Sequence, residues 1–190
     1  MSDTAPQSNS ITYFQSSRPA PTFLSALKAV LTKPSEFFAG MPFAVFYGNS
    51  LFFASIVIFG MIFLSVPFYS LGMLFMVPFV WGTILIGMWS LSAYMRWAVK
   101  AFAGARLSAA NAFQISAYAF APMLFVGFSW AGIAAFLWNV YLLWVGLTTY
   151  CRISGGRAVA VMIVPLVVVV IIGSVMVFAL AHLKSLAGNG

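Results

Sequence analysis

Residues 49–65 read NSLFFASIVIFGMIFLS, a stretch with no charged side chain and little that water would welcome. As an α-helix, at roughly 1.5 Å per residue, it would rise about 25 Å, most of a hydrocarbon layer that is roughly 30 Å thick. A barrel strand would instead alternate polar and apolar residues over about 10 positions, and no such alternation is present. Inside lipid a backbone N–H or C=O finds no water to bond, so a helix, which satisfies both within one segment, is the structure this stretch dictates.

The same reading extends along the chain. Hydrophobic residues make up 63% of it, charged residues 6%, and the mean hydropathy is +1.05, far from the roughly 25% charge of soluble domains. After Glu36 the next charge is Arg96, after Arg106 it is Arg152, and after Arg157 it is Lys184. The first two runs each hold two spans of about 20 residues and the third holds one. The expected fold is therefore all-α and polytopic, with five transmembrane helices near 49–65, 71–94, 111–126, 130–149 and 158–181. Pro78 is expected to kink the second and Pro122 to break the third, because proline removes a backbone donor and crowds the preceding turn. The domain plan is a disordered polar tail over 1–22, an amphipathic segment over 23–46, the five-span unit over 47–183 and a short tail over 184–190.

Basic residues orient this array. Arg18, Lys28 and Lys33 precede the first span, Arg96, Lys100 and Arg106 lie between the second and third, and Arg152 and Arg157 lie between the fourth and fifth. Only Lys184 falls on the other side, so the positive-inside bias predicts a cytoplasmic N-terminus and an outside C-terminus. The net charge of +7 then reads as a cationic cytoplasmic face opposite anionic lipid, and nucleic acid need not be invoked. Ahead of the spans, residues 26–38 read ALKAVLTKPSEFF. On a helix, Phe23, Leu24, Leu27, Val30 and Leu31 share one face while Ser25, Lys28, Ala29 and Thr32 share the other, the pattern of an interfacial helix. Pro34 suits a first turn and Glu36 the positive end of a helix, so a second short helix should begin after a break at Lys33, with Phe37 and Phe38 pressing it into the membrane interface.

The chemistry-bearing residues are few. The predicted spans contain no Asp, Glu, Lys, Arg or His, and such groups are the usual marks of proton or ion pathways. His182 has only Ser174 or Ser185 as neighbours for a nucleophile and reads as an interface residue. The single cysteine, Cys151, cannot form an internal disulfide or a cysteine-based metal site, and neither a metal nor a cofactor is expected. Asn139, near the middle of the fourth span, needs a partner in lipid, with Gln114, Ser116 and Tyr118 as candidates; it reads first as interhelical glue. A second reading makes Asn139, Gln114 and Tyr118 the lining of a passive pathway for a neutral or apolar solute.

Several stretches also resemble a known family: LKAVLTKPSEFFAGMP with Leu31, Pro34, Phe37 and Phe38, then AYAFAPMLF with Tyr118 to Pro122, and VGLTTYCRISGGRAVAV with Gly146 and the basic Gly-rich loop before Ala158. They are similar to the bacterial branch of the Yip family, named for eukaryotic members that interact with Ypt/Rab GTPases. The resemblance covers about 27–181 and implies five spans with the N-terminus in the cytosol, and roles in trafficking or membrane organisation for the eukaryotic members; none of the matching stretches is a catalytic signature. The Asp-Leu-x-Gly-Pro type motif of the eukaryotic relatives has no counterpart, so a Rab-type partner is not carried over. The resulting expectation is a non-enzymatic protein of the bacterial inner membrane. It would bind anionic lipid, a membrane-protein partner or a second copy of itself through Lys28, Lys33, Phe37, Phe38, Arg96, Lys100, Arg106, Arg152 and Arg157.

Overall fold

The structure is a computed structural model that describes residues 12–65, 75–128 and 131–163, with isolated residues beyond them to 174. All regular structure among the described residues is helical: α1 (Pro19–Thr32), α2 (Pro34–Ala39), α3 (Gly48–Ser65), α4 (Val77–Ala103), α5 (Ala109–Ala119), a 3₁₀ helix (Ala121–Phe125) and α6 (Ala131–Tyr150). Residues 155–163 begin a further helix. Among the described residues three helices, α3, α4 and α6, are long and apolar enough to cross a membrane. Most of the predicted fifth span lies outside the described residues.

The chain enters through α1, which begins at Pro19, earlier than the expected Phe23. The Thr22 hydroxyl donates to the Arg18 carbonyl at 2.6 Å and accepts from the Gln15 N–H at 3.1 Å, tying the preceding turn to the helix. The break at Lys33 is present, and Pro34 opens α2 with Glu36 in its first turn, as the fixed φ of proline and the helix dipole favour. What these helices rest on differs from the expectation. The stripe that α1 buries is Thr22, Ala26 and Val30, while Leu24 is 67% exposed.

Phe37 and Phe38 are both 0% exposed and belong to the protein's own core, so they do not face the membrane interface. Phe37 meets Tyr118 edge to face with ring centroids 4.9 Å apart, and Tyr13 donates to the Phe37 carbonyl at 2.9 Å. Phe38 lies against Gly146 on α6, where a Cβ would stand 2.7 Å from Ile115 Cγ2 and 3.4 Å from Phe38 Cε1. Phe14, within the segment expected to be disordered, is 1% exposed and packs on Phe23, Phe52 and Phe53. The physical reason is that aromatic burial against other aromatics adds oriented ring contacts to simple removal from water.

Two spans match their expected limits closely and two do not. Pro78 sits in the first turn of α4 and starts the helix without kinking it. At its other end α4 runs through the basic segment to Ala103, where Gly104 takes a left-handed φ of 66° and closes it, its N–H bonding the Lys100 carbonyl at 3.1 Å. The helix therefore rises about 40 Å, overhanging a roughly 30 Å hydrocarbon layer.

The segment expected as a third span holds α5, which has too few residues to cross alone and whose residues from Ala110 through Ala119 are all buried. Ser108 caps its start by accepting from the Asn111 N–H at 3.1 Å, and Asn111 Oδ1 in turn accepts from the Ala44 N–H at 2.7 Å. Around α5 stand α3, α4 and α6, with the N-terminal helices closing a remaining side.

Phe37→Ala should destabilise the detergent-solubilised protein by about 3 kcal/mol, the usual cost of emptying a buried aromatic site. Glu36→Gln, which removes the exposed Lys33–Glu36 pair at 3.3 Å and the carboxylate in the first turn of α2, should change it by less than about 1 kcal/mol. Thermal unfolding of the two variants, compared side by side, checks both values.

Candidate functional site

Contacts between helices fix which ends lie together. Tyr47 meets Trp89 and Ser55 meets Trp81, so α3 and α4 run antiparallel. Tyr47 meets Phe113, Phe53 meets Tyr118 and Leu124 abuts Gly60, so α3 and α5 with its 3₁₀ extension run parallel. Val126 abuts Gly132, Ala119 meets Asn139 and Ile115 abuts Gly146, so α6 runs antiparallel to α5. The starts of α3 and α5 thus share an end with the finishes of α4 and α6. That end collects Arg96, Lys100 and Arg106 together with Arg152 and Arg157, all exposed.

Three of these cations come together. Arg96, Lys100 and Arg106, with Ala93, Trp97 and Leu107, line an open pocket of about 490 Å³. Arg96, Trp97 and Lys100 project from adjacent turns of α4, and Arg106 is brought back over them because Gly104 turns the chain out of the helix. Among the described residues the sole carboxylate is Glu36, which is paired with Lys33. The pocket's cations therefore have no acid to neutralise them within the described fold. Lys28, Lys33, Arg152 and Arg157 are exposed but line no part of this pocket, and Phe37 and Phe38 are withdrawn into the core. The sequence reading missed Ala93 and Leu107 as pocket walls, since their contribution depends on where the loop after Gly104 lands.

The intramembrane polar residues are arranged as packing. Pro122 has no N–H and the helix stops at Ala119, leaving carbonyls without their usual donors four residues on. Asn139 Nδ2 donates to the Ala119 carbonyl at 2.8 Å, so the partner is a backbone carbonyl at the helix break and none of the expected side chains. Tyr118 is held between Phe37 and Phe53, with its hydroxyl beside Gln114 and the Phe14 backbone. Gln114 is 7% exposed and its Oε1 has no hydrogen-bond partner among the described residues. Ser116 donates to the Ala112 carbonyl at 3.0 Å and touches Met95 Sδ at 3.6 Å and Ser92 Oγ at 3.5 Å.

Beyond α6, Arg152 takes φ 51°, a left-handed conformation that strains any side chain with a Cβ. Burial pushes the neighbouring Cys151 thiol up to about 11, which keeps it protonated near neutrality and a poor nucleophile.

A family model described as the Yip1 domain matches residues 28–177, starting within α1. This chain belongs to the Yip1 family. Comparisons with curated proteins and with solved structures give no match. The match establishes a Yip1 membrane protein, and the Yip1 domain so delimited contains the pocket, the α5 core and α2, while the first turns of α1 and the Phe14 contact precede it.

Asn139→Leu removes the donor to Ala119 and should destabilise the protein by about 1–2 kcal/mol, since a buried carbonyl is left without a partner; unfolding in detergent checks this. Alkylation of Cys151 should be slow at pH 7, because the thiolate is then a minute fraction. Its rate should rise about tenfold per pH unit until the pH nears 11, as timed labelling with iodoacetamide would show.

Proposed function

We propose that this Yip1-family chain is a non-enzymatic, five-span membrane protein that binds lipid or protein partners through one basic face. In this reading the N-terminus and the basic end lie in the cytoplasm, the C-terminus lies outside, and the membrane is the bacterial inner membrane. The face comprises Lys28, Lys33, Arg96, Lys100, Arg106, Arg152 and Arg157. Phe37 and Phe38 have no part in it.

The observation that carries this reading is the gathering of Arg96, Lys100, Arg106, Arg152 and Arg157 at one end of the helices, in a chain with only two acidic residues against nine Lys and Arg. An unneutralised cationic end is stabilised by an anionic membrane surface, which attracts each nearby Lys or Arg by a factor of about five in affinity. Among the described residues the sole carboxylate is Glu36, paired with Lys33, so the attraction of the other six cations is not spent within the described fold. The polar side chains of α5 and α6 support the same conclusion, because they are engaged in holding helices together: Asn139 on Ala119 and Tyr118 among aromatic rings.

Orientation can be read in a Cys151→Ser background. A membrane-impermeant maleimide should label Lys184→Cys on intact cells and Lys100→Cys only after permeabilisation; the opposite pattern would reverse the orientation. For binding, neutralising the seven cations of the face to Gln should abolish preference for vesicles containing phosphatidylglycerol over pure phosphatidylcholine. Unchanged capture of both lipid and protein partners by that variant would overturn the proposal.

A further inference from the structure

We infer that the pocket between the end of α4 and the loop at residues 104–107 is a seat for the phosphate-bearing headgroup of one anionic lipid molecule. This inference rests on the proposed basic face and narrows it to a defined site. Three side chains with positive charge converge on a pocket of about 490 Å³, and no described carboxylate faces them. Like charges four apart on a helix repel by a few tenths of a kcal/mol, and an anion seated among Arg96, Lys100 and Arg106 relieves that repulsion. A structural explanation covers one of the three: Lys100 lies in the last turn of α4, where the helix dipole itself favours a cation. Arg96 is two turns from that end and Arg106 is beyond it, so the dipole explains neither. Arginine supplies a planar fork of donors suited to phosphate oxygens, and lysine supplies a compact point charge.

The occupant is a lipid because of what adjoins the pocket. Ile86, Trp89, Ala93, Trp97 and Lys100 fall on one stripe of α4 at 100° per residue. Ile86 is 70% exposed, and Trp89 and Trp97 are each 61% exposed. An apolar stripe suited to acyl chains therefore leads directly to the cationic pocket. Counting from Val77, about 20 residues of helix cross the hydrocarbon layer and bring the chain to Trp97. Arg96, Trp97 and Lys100 then stand at headgroup height, with the indole of Trp97 where tryptophan prefers to lie.

The test uses the full chain in detergent, with native mass spectrometry of retained phosphatidylglycerol against phosphatidylcholine of identical chains. Arg96→Gln/Lys100→Gln/Arg106→Gln should lower phosphatidylglycerol retention tenfold or more. Lys28→Gln/Arg152→Gln/Arg157→Gln, with the same loss of charge elsewhere on the face, should lower it less than twofold. Arg96→Lys/Arg106→Lys should retain most of the binding, and unchanged thermal unfolding of each variant shows that the fold is intact. Equal losses in the two neutralised triples would overturn the pocket while leaving the diffuse basic face standing. No loss in either triple would overturn both. Displacement of the lipid by millimolar inorganic phosphate would make this a free-anion site and overturn the lipid assignment.

Discussion

The hydrogen bond from Asn139 to the Ala119 carbonyl holds together the two consequences of Pro122. Proline ends α5 inside the protein, and a helix end inside a membrane protein exposes carbonyls where no water can reach them. Asn139 supplies the missing donor from the neighbouring helix, so α6 must lie at one height relative to α5. Gly146, further along α6, lets Ile115 and Phe38 come close only if that height is kept. The alignment in turn places Arg152 and Arg157 at the same end as Arg96, Lys100 and Arg106. A buried amide thus helps to determine which charges share a surface.

The N-terminal helices show how an amphipathic pattern is spent. The segment Tyr13 to Phe38 has the composition of a membrane-surface anchor, yet its aromatic side chains pack on Tyr118 and Phe53 and fill space that α3, α5 and α6 leave open. Lipid tails are as apolar as phenylalanine, so burial alone would not draw these rings away from the bilayer. Ring geometry, the Tyr13 bond to the Phe37 carbonyl and the Asn49 side chain accepting from the Ser16 N–H fix them against the protein.

Much of this was legible in the residues. Continuous apolar runs define α3 and α6 almost to their ends, Pro34 divides α1 from α2, and the unbalanced cations identify the basic end. Other features were not legible, for identifiable reasons. The extension of α4 to Ala103 was hidden because charged residues ordinarily mark a loop, whereas here the helix simply continues out of the apolar layer. The enclosure of α5 was hidden because composition does not distinguish a helix surrounded by protein from one surrounded by lipid; Asn111, Gln114 and Ser116 were its only hints. Hydrophobicity likewise cannot say whether Phe37 and Phe38 face lipid or Tyr118. The convergence of Arg106 with Arg96 and Lys100 depends on the left-handed turn at Gly104, which spacing alone does not reveal.

The enclosure of α5 has a consequence for how the chain is made. A short helix carrying Asn111, Gln114 and Ser116 has little affinity of its own for hydrocarbon, so it is poorly suited to partition sideways out of the insertion machinery as an isolated segment. During synthesis α3 and α4 emerge before it and α6 after it. The carbonyl at Ala119 acquires its donor only when Asn139 has been translated and brought alongside. Completion of the helix array is therefore coupled to the arrival of α6, and a nascent chain halted before that point carries an unsatisfied helix end that quality-control proteases could recognise.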